Sequence, residues 1–346
     1  MTNENNVALI SPRRLGKTDL LRHCFQQELI KNNYHTFIID IYATGSVRDF
    51  VNVFGKAILD ELRPKGKTAW ESFLNIPSSL RSEITFDVNG QPSWGIGLGA
   101  ISNPTTTLDE IFSYLNNADR PCLIAIDEFQ QITKYADNAN IEAALRTHIQ
   151  RCQNARFIFS GSHRHLMDAM FTSPSRPFYQ SVSLINLAPI SLAKYTDFCQ
   201  KHFATAGKYV DSVVVKNLYD RFNGITSYMQ KVMNLLFSQT PNDGNCSIDD
   251  IDIAIDRLLD FSADTYESLL YQMPEKQRSV FLAIASEKEA KAISGGAFVR
   301  KHRLSSASSV MSAVKGLLEK DFITFDKGVY KVYDRFFLAW LQRNKL

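Results

Sequence analysis

No apolar run in this chain of 346 residues approaches the roughly 20 consecutive residues that a bilayer-crossing helix needs. The opening MTNENNVALI has neither a basic region nor a small-residue cleavage site, so no secretory leader is expected. The five cysteines, Cys24, Cys122, Cys152, Cys199 and Cys246, are odd in number and scattered. They form no CxxC pair and no Cys/His cluster, which argues against a disulfide framework and against a zinc site. A reducing, cytoplasmic compartment is the expectation. There is no internal repeat and no low-complexity tract. No NKxD-type segment selects guanine, and no protein-kinase signature set is present. Net charge is small, +3, but unevenly placed: from Lys276 to Leu346 there are 14 Lys/Arg against 6 Asp/Glu. That excess fits either an acidic partner such as nucleic acid or a solvated basic face.

What is present reads as strands alternating with helices. Val7 to Ile10 is a short apolar strand, followed by a polar loop and a helical pattern from Lys17 to about Lys31. Thr36 to Ile41 is a second buried strand, and Ser46 caps a helix running to about Leu62. A breaker cluster, RPKGK, follows. Ile84 to Leu98 reads as a hairpin with Asn89-Gly90 at the turn, inserted at about 82–100. Thr107 opens another helix, with Glu110 in capping-box position. Cys122 to Ile126 is a third strand, Ile141 to Asn154 a helix, Arg156 to Ser160 a fourth strand and Ser183 to Leu187 a fifth. Continuous apolar strands such as LIAI suit a parallel sheet covered by helices on both faces. From Ser191 to Tyr271 the pattern is helical with no clear strand.

Two short motifs carry chemistry. Ser11, Pro12, Arg13, Arg14, Leu15, Gly16, Lys17 and Thr18 read SPRRLGKT, the GxxxxGK[ST] phosphate loop with Ser11 in place of its first Gly. Gly16 lets the backbone curl so that N–H groups face phosphate oxygens. Lys17 reaches the β- and γ-phosphates, the Thr18 hydroxyl binds Mg2+, and the helix that follows, with Asp19 in its first turn, points its positive dipole at the same anion. A Cβ on Ser11 is expected to strain the first turn. The second motif, LIAIDE, is an apolar strand ending in two acids. Asp127 is expected in the Mg2+ shell, and Glu128 is expected to orient or deprotonate the attacking water. Ser160 or Ser162, at the end of the next strand, could sense the γ-phosphate or the water; an ordinary Ser-Gly turn reads equally well. ATP is the default nucleotide.

SPRRLGKTDLL, with two arginines inside the loop, resembles the archaeal-type ATPases of the STAND branch of AAA+-like P-loop NTPases. TFIIDIYATGSVRDF, LIAIDEFQQI and FIFSGSHRHLM are similar to that family's second strand and helix, its Walker B segment and its strand-plus-GS segment. NGITSYMQ, Asn223 to Gln230, is similar to its helical-lid motif, and YKVYDRFFLAWLQR to its closing segment. The resemblance spans nearly the whole chain. It implies ATP binding, hydrolysis to ADP and phosphate, and a switch between nucleotide domain, lid and winged helix. The departures are Ser11, Ile225-Thr226 where the lid motif has Gly-x-Pro, and Gln180-Ser181 where the family has Gly-Arg. Arg164 and Arg176 are nearby candidates for the missing arginine, each reading more readily as a surface residue. Ten residues precede the loop, fewer than in the family, whose upstream segment helps enclose the base.

The C-terminus reads as a helix-turn-helix followed by a wing: Ala297 to His302, a break at Leu304-Ser305, Ser308 to Lys320, then FITF, Asp326-Lys327-Gly328 and VYKV. Ser305, Ser306, Ser308 and Lys315 could face a DNA groove, with Arg300, Lys301, Arg303 and Lys327 on phosphates; a protein-docking or autoinhibitory winged helix reads equally well. The expected organisation is therefore an α/β P-loop NTPase, a three-layer αβα parallel sheet over 1–190, then a helical lid over 191–271 and a winged helix over 272–346. Expected ligands are ATP and Mg2+, and expected partners are DNA or protein through the C-terminal module, with homo-oligomerisation open and no membrane. The function is read as a slow, Mg-dependent ATPase switch. The alternative is a DNA-binding or protein-interaction regulator on a P-loop scaffold that hydrolyses little.

Overall fold

The computed structural model describes residues 5–62, 84–86, 92–94, 103–287 and 289–346. The Asn89-Gly90 turn, residues 95–98 of the expected hairpin and the RPKGK breaker lie outside them. The chain divides into two compact units, Met1–Ala188 and Pro189–Leu346.

In the first unit, β1 (Val7–Ile10) leads through the loop into α1 (Lys17–Phe25). The helical pattern then breaks at Gln26-Gln27 before α2 (Glu28–Asn33), so the single helix expected to Lys31 is two. β2 (His35–Asp40) is followed by α3 (Val47–Glu61), where the Ser46 hydroxyl accepts from Asp49 N as expected of an N-cap. β3 (Ile84–Phe86) and β4 (Pro92–Trp94) pair antiparallel. The next helix, α4 (Pro104–Asn116), starts three residues before Thr107. Asn103 accepts from Thr105 N and Thr106 N with Pro104 at the first helical position, a stronger start than the one read from Thr107. β5 (Cys122–Asp127) runs into a 3-10 turn, Phe129–Lys134, and then come α5 (Asn138–Arg151), β6 (Ala155–Gly161), α6 (Arg164–Thr172) and β7 (Ser183–Asn186).

The five sheet strands are parallel, in the order β2-β5-β6-β1-β7. Side chains alternate across them. Leu9, Leu123, Ala125 and Ile158 pack with Leu21 and Phe25 of α1 on one face. Ala8, Ile10, Ile124, Ile126, Phe157 and Phe159 pack with residues of α3 to α6 on the other. The sheet is therefore the middle of three layers, which is why β5 is buried at every position. Leu9 pairs with Ser160, Ile10 with Gly161, and Ile126 with Phe159. This register brings the carboxyl ends of β1, β5 and β6 to one level, where ligands bind in open parallel sheets.

The second unit begins with α7 (Leu192–Thr205), α8 (Ser212–Phe222), α9 (Thr226–Gln239) and the long α10 (Asp249–Gln272). The expected absence of strands does not hold here. β8 (Tyr209–Val210) and β9 (Asn245–Cys246) form a parallel pair, each two residues long and too short to leave a periodic signal. Next come α11 (Glu275–Ser286), β10 (Ala290–Lys291), α12 (Gly296–Lys301), α13 (Ala307–Glu319), the strands β11 (Ile323–Asp326) and β12 (Val329–Val332), and α14 (Arg335–Asn344). A three-stranded sheet, β10-β12-β11, makes the wing. Lys327 and Gly328 both take positive φ, 48° and 82°, as a two-residue hairpin turn of twist-matched type requires. One continuous apolar core, from Tyr195 to Leu341, joins the helices to the winged helix. Tyr266 of α10 stacks on Phe337 of α14 with ring centroids 4.7 Å apart.

Candidate active site

The phosphate loop leaves β1 at Ser11, which is buried, its hydroxyl bonded to Pro12 O at 2.9 Å. Ser11 is not among the positive-φ residues, so the expected strain from its Cβ does not arise. The left-handed positions fall later, at Arg14 (φ 69°) and Gly16 (φ 85°). A Cβ added at Gly16 would meet no atom within 4 Å. Glycine is needed there for conformation, not for packing, and the space beside it is open. Leu15 tucks into the protein and Pro12 stays exposed. Lys17 begins α1 with only 7% of its surface exposed. Burial pulls the Lys17 ammonium below its ordinary pKa, Glu128 and Asp127 pull it back, and Arg13 lowers it further. An ammonium held in this way has much to gain from an anion.

Asp127, at the end of β5, accepts from the Thr18 hydroxyl at 2.5 Å. Two hard oxygen donors thus sit together, Thr18 in the first turn of α1 and Asp127 at the end of β5. Among the described residues no group of three or more His, Cys, Asp or Glu could hold a metal alone. A cation here would need phosphate or water oxygens to complete its shell, which is how Mg2+ usually binds. Asp19 faces away, exposed and paired with Arg22 at 3.4 Å.

Glu128 adopts a left-handed conformation, φ 55°, ψ 38°. Such a position costs a non-glycine residue about 1–3 kcal/mol and collects at functional sites. Its backbone N–H donates to Asp127 Oδ1 at 3.0 Å. Its Oε2 accepts from Ser162 Oγ at 2.7 Å and from Gln130 Nε2 at 2.5 Å. Ser162 also accepts from Arg13 Nε at 2.8 Å, and Arg13 Nη2 lies 2.7 Å from His163 Nε2. Of Ser160 and Ser162, Ser162 reaches Glu128. Ser160 is wholly buried, and among the described residues its hydroxyl has no hydrogen-bond partner. A Cβ at Gly161 would lie 2.4 Å from Gln130 Oε1 and 2.5 Å from Met167 Sδ, so a larger residue there would have to push these two side chains aside.

Gln130 is not foreshadowed by the sequence, because no motif marks the third residue after an acidic strand end. Nor are the contacts of Arg13 foreshadowed, because Ser162 and His163, just past the end of β6, lie 149 and 150 positions away. Arg176 is half-buried and forms an ion pair with Glu142, which is fully buried. Burial pushes the Glu142 carboxyl up and Arg176 brings it part of the way back. Arg164 pairs with Asp168 at 3.5 Å. Gln180 takes φ 51° and donates its N–H to Phe171 O at 3.1 Å, closing the turn after α6.

In the second unit, Asn223 (φ 51°) and Gly224 (φ 68°) end α8. The Tyr228 hydroxyl donates to Tyr333 O and accepts from Arg335 N, each at 3.2 Å. In the amide orientation that satisfies both neighbours, Asn223 accepts from Arg335 Nη2 at 2.9 Å. The segment resembling a lid motif is thus bonded to the start of α14.

Ser306 is the N-cap of α13, accepting from Ser309 N at 3.2 Å, so its hydroxyl is engaged in holding the helix. Ser308, Met311, Ser312 and Lys315 share the exposed side of α13. Lys301 is also engaged, 2.6 Å from Glu287. Arg300, Arg303 and Lys327 are exposed, and among the described residues none has an ion-pair partner. Arg303 and Lys276 line a surface cavity of about 250 Å³ with Ser305 and Ser309.

A parallel sheet in this order, with a loop-Lys-Thr helix start after β1 and an acidic end to β5, defines the P-loop NTPase fold, here followed by a helical region and a winged helix. Residues 264–343 match the sequence family described as a probable winged helix domain. The Walker-type ATPase of Pyrococcus abyssi is similar in structure, with a TM-score of 0.61 at 14% identity over 99% of this chain and 92% of that one. The Orc1 protein of Aeropyrum pernix, solved in complex with DNA, is similar with a TM-score of 0.52 at 10% identity over 98% of this chain and 87% of that one. No curated protein matches this chain in sequence. Among the described residues no helix is long and apolar enough to cross a membrane.

Proposed function

We propose that this chain binds ATP with Mg2+ and hydrolyses it slowly to ADP and phosphate, as a switch acting on its winged helix. The observation that carries the reading is the convergence of Lys17, the Thr18–Asp127 pair and the Ser162–Glu128 pair at one end of the sheet. The residues present fit the ligand: an open loop beside Gly16, a buried cation and two hard oxygen donors. Lys17 would meet the β- and γ-phosphates and the α1 amides would take the remaining phosphate oxygens. Thr18 and Asp127 would hold Mg2+, which when bound neutralises charge developing on the phosphates. Glu128 would accept the proton of the attacking water as its oxygen bonds the γ-phosphorus, the bond to the bridging oxygen breaks and ADP leaves with that electron pair. The closer affiliation with archaeal-type ATPases of the STAND branch rests on the sequence motifs.

The coupling half of the proposal is supported by the bonds from Asn223 and Tyr228 to Arg335 and Tyr333. A lid, taken as 191–271, and a winged helix, taken as 272–346, that share one core would move as one. Asp127→Asn tests the metal assignment. It is expected to weaken Mg-dependent ATP binding by at least about tenfold while leaving Mg-free binding within about twofold. Equal losses in calorimetric titrations with and without Mg2+ would remove Asp127 from the metal shell.

A second reading, DNA binding by the winged helix, is favoured by the exposed Arg300, Arg303 and Lys327. Replacing all three by Ala is expected to weaken binding to every duplex and to flatten the salt dependence by about 0.9 in log–log slope per lost phosphate contact. Fluorescence anisotropy across a salt series decides the matter. An intact protein with no salt-sensitive binding, with or without ATP, would leave the winged helix as a protein-docking surface. Ser306→Ala is a poor probe of base reading, since loss of a cap costs helix stability by about 1 kcal/mol.

A further inference from the structure

The direction of each hydrogen bond between Arg13 and Glu128 is fixed by chemistry. A guanidinium has donors and no acceptor, so Arg13 Nε must donate to Ser162 Oγ, 2.8 Å away. A carboxylate only accepts, so the single hydroxyl proton of Ser162 lies on Glu128 Oε2, 2.7 Å away. Arg13 Nη2 likewise donates to His163 Nε2 at 2.7 Å, which requires that ring nitrogen to present its lone pair. Ser162 and His163, adjacent at the end of β6, thus hold the guanidinium by two of its arms. Gln130 Nε2 donates to the same Glu128 oxygen as Ser162. Both donors therefore fall on Oε2, and among the described residues none falls on Oε1. The carboxylate is pinned by one oxygen and presents the other.

We propose that Arg13 is a positioning residue of the hydrolytic site, acting through Ser162 to hold the water-activating carboxylate of Glu128, and not a ligand of the nucleotide phosphates. The proposal rests on the ATP-hydrolysing reading. Its geometric basis is the continuous path from the phosphate loop to Glu128 through one shared hydroxyl. Ser162 is 8% exposed, so water competes little for its proton. Without Arg13 the Ser162 hydroxyl is free to rotate, and Glu128 loses a fixed donor part of the time. Arg14, the neighbouring loop arginine, takes the left-handed conformation, φ 69°.

The test is a double-mutant cycle on the full chain, with kcat, KM and ATP affinity measured for Arg13→Ala, Ser162→Ala and the pair. Each single change is expected to lower kcat by about 10- to 100-fold, the cost of an ordered charge-assisted hydrogen bond, with ATP affinity within about threefold. The double variant is expected to lose no more than Ser162→Ala alone, since the proposed effect of Arg13 on Glu128 passes through that hydroxyl. Arg13→Lys, which keeps one donor, is expected to recover part of the rate, and in a cycle with Ser162→Ala it replaces Arg13→Ala should that variant fail to fold by circular dichroism. Losses that multiply in the double variant, or an Arg13→Ala protein that loses ATP affinity, would make Arg13 a phosphate ligand and overturn the proposal. An unchanged rate in Arg13→Ala would overturn it too. A wild-type chain with no turnover would sink the hydrolytic reading itself, an outcome distinguished by being visible before any substitution is made.

Discussion

Lys17→Ala is expected to abolish useful nucleotide binding, raising the dissociation constant for ATP by at least about 30-fold. Truncating one partner of a buried, hydrogen-bonded charge pair costs about 2–5 kcal/mol, and the lower end of that range is about 30-fold. The buried setting of Lys17 puts it in this class: only 7% of its surface is exposed, and burial has already lowered the pKa of its ammonium. A surface lysine would give a far smaller loss, because exposed ion pairs are worth about 0–1 kcal/mol. Calorimetric titration of the variant, with its fold checked by circular dichroism, gives the answer. An affinity equal to that of the wild type would remove the phosphates from this loop.

Glu128→Gln is expected to lower kcat by about 10²- to 10⁴-fold, the range for loss of a general base, and to leave ATP affinity within about threefold. Glutamine keeps the size of the side chain and an oxygen that can accept from Ser162 and Gln130, the two donors to Oε2. The substitution removes the charge and the proton acceptor and little else. Turnover and binding therefore separate in this variant, whereas in Lys17→Ala they fall together. A Glu128→Gln protein that hydrolyses ATP at the wild-type rate would take the glutamate out of the reaction.

Much of the first unit was legible from its sequence because its signals are local. The strands VALI, CLIAID and RFIFS announce themselves as short apolar runs, and the sheet buries them on both faces. The loop SPRRLGKT is legible for the same reason: its residues are adjacent in sequence, and the space beside Gly16 is open. Helix starts were less so. Thr107 looked like a cap, but Asn103 with Pro104 begins the helix earlier, and two competing caps four residues apart cannot be ranked by pattern alone. In the second unit β8, β9 and β10 escaped notice because two residues carry no periodicity.

The candidate site was legible up to the acids that end β5 and no further. Asp127 and Glu128 follow from an apolar strand ending in two carboxylates. What holds Glu128 does not follow, because Ser162, Gln130 and Arg13 come from three segments whose meeting depends on strand order. Only once β6 lies between β1 and β5 does Ser162 stand between the loop and the acids. Arg176 shows the converse limit. Its charge suggested solvent, but its partner is Glu142, on the buried face of α5 with Ile141, Leu145 and Ile149.

The most direct measurement is phosphate release from ATP by the full chain, in the presence and absence of Mg2+. The account predicts slow, saturable release that requires Mg2+ and disappears in Glu128→Gln while that variant still binds ATP. A wild-type protein that binds Mg-ATP and releases no phosphate, or that releases it equally well after Glu128→Gln, would contradict the claim that the acids at the end of β5 form a hydrolytic site.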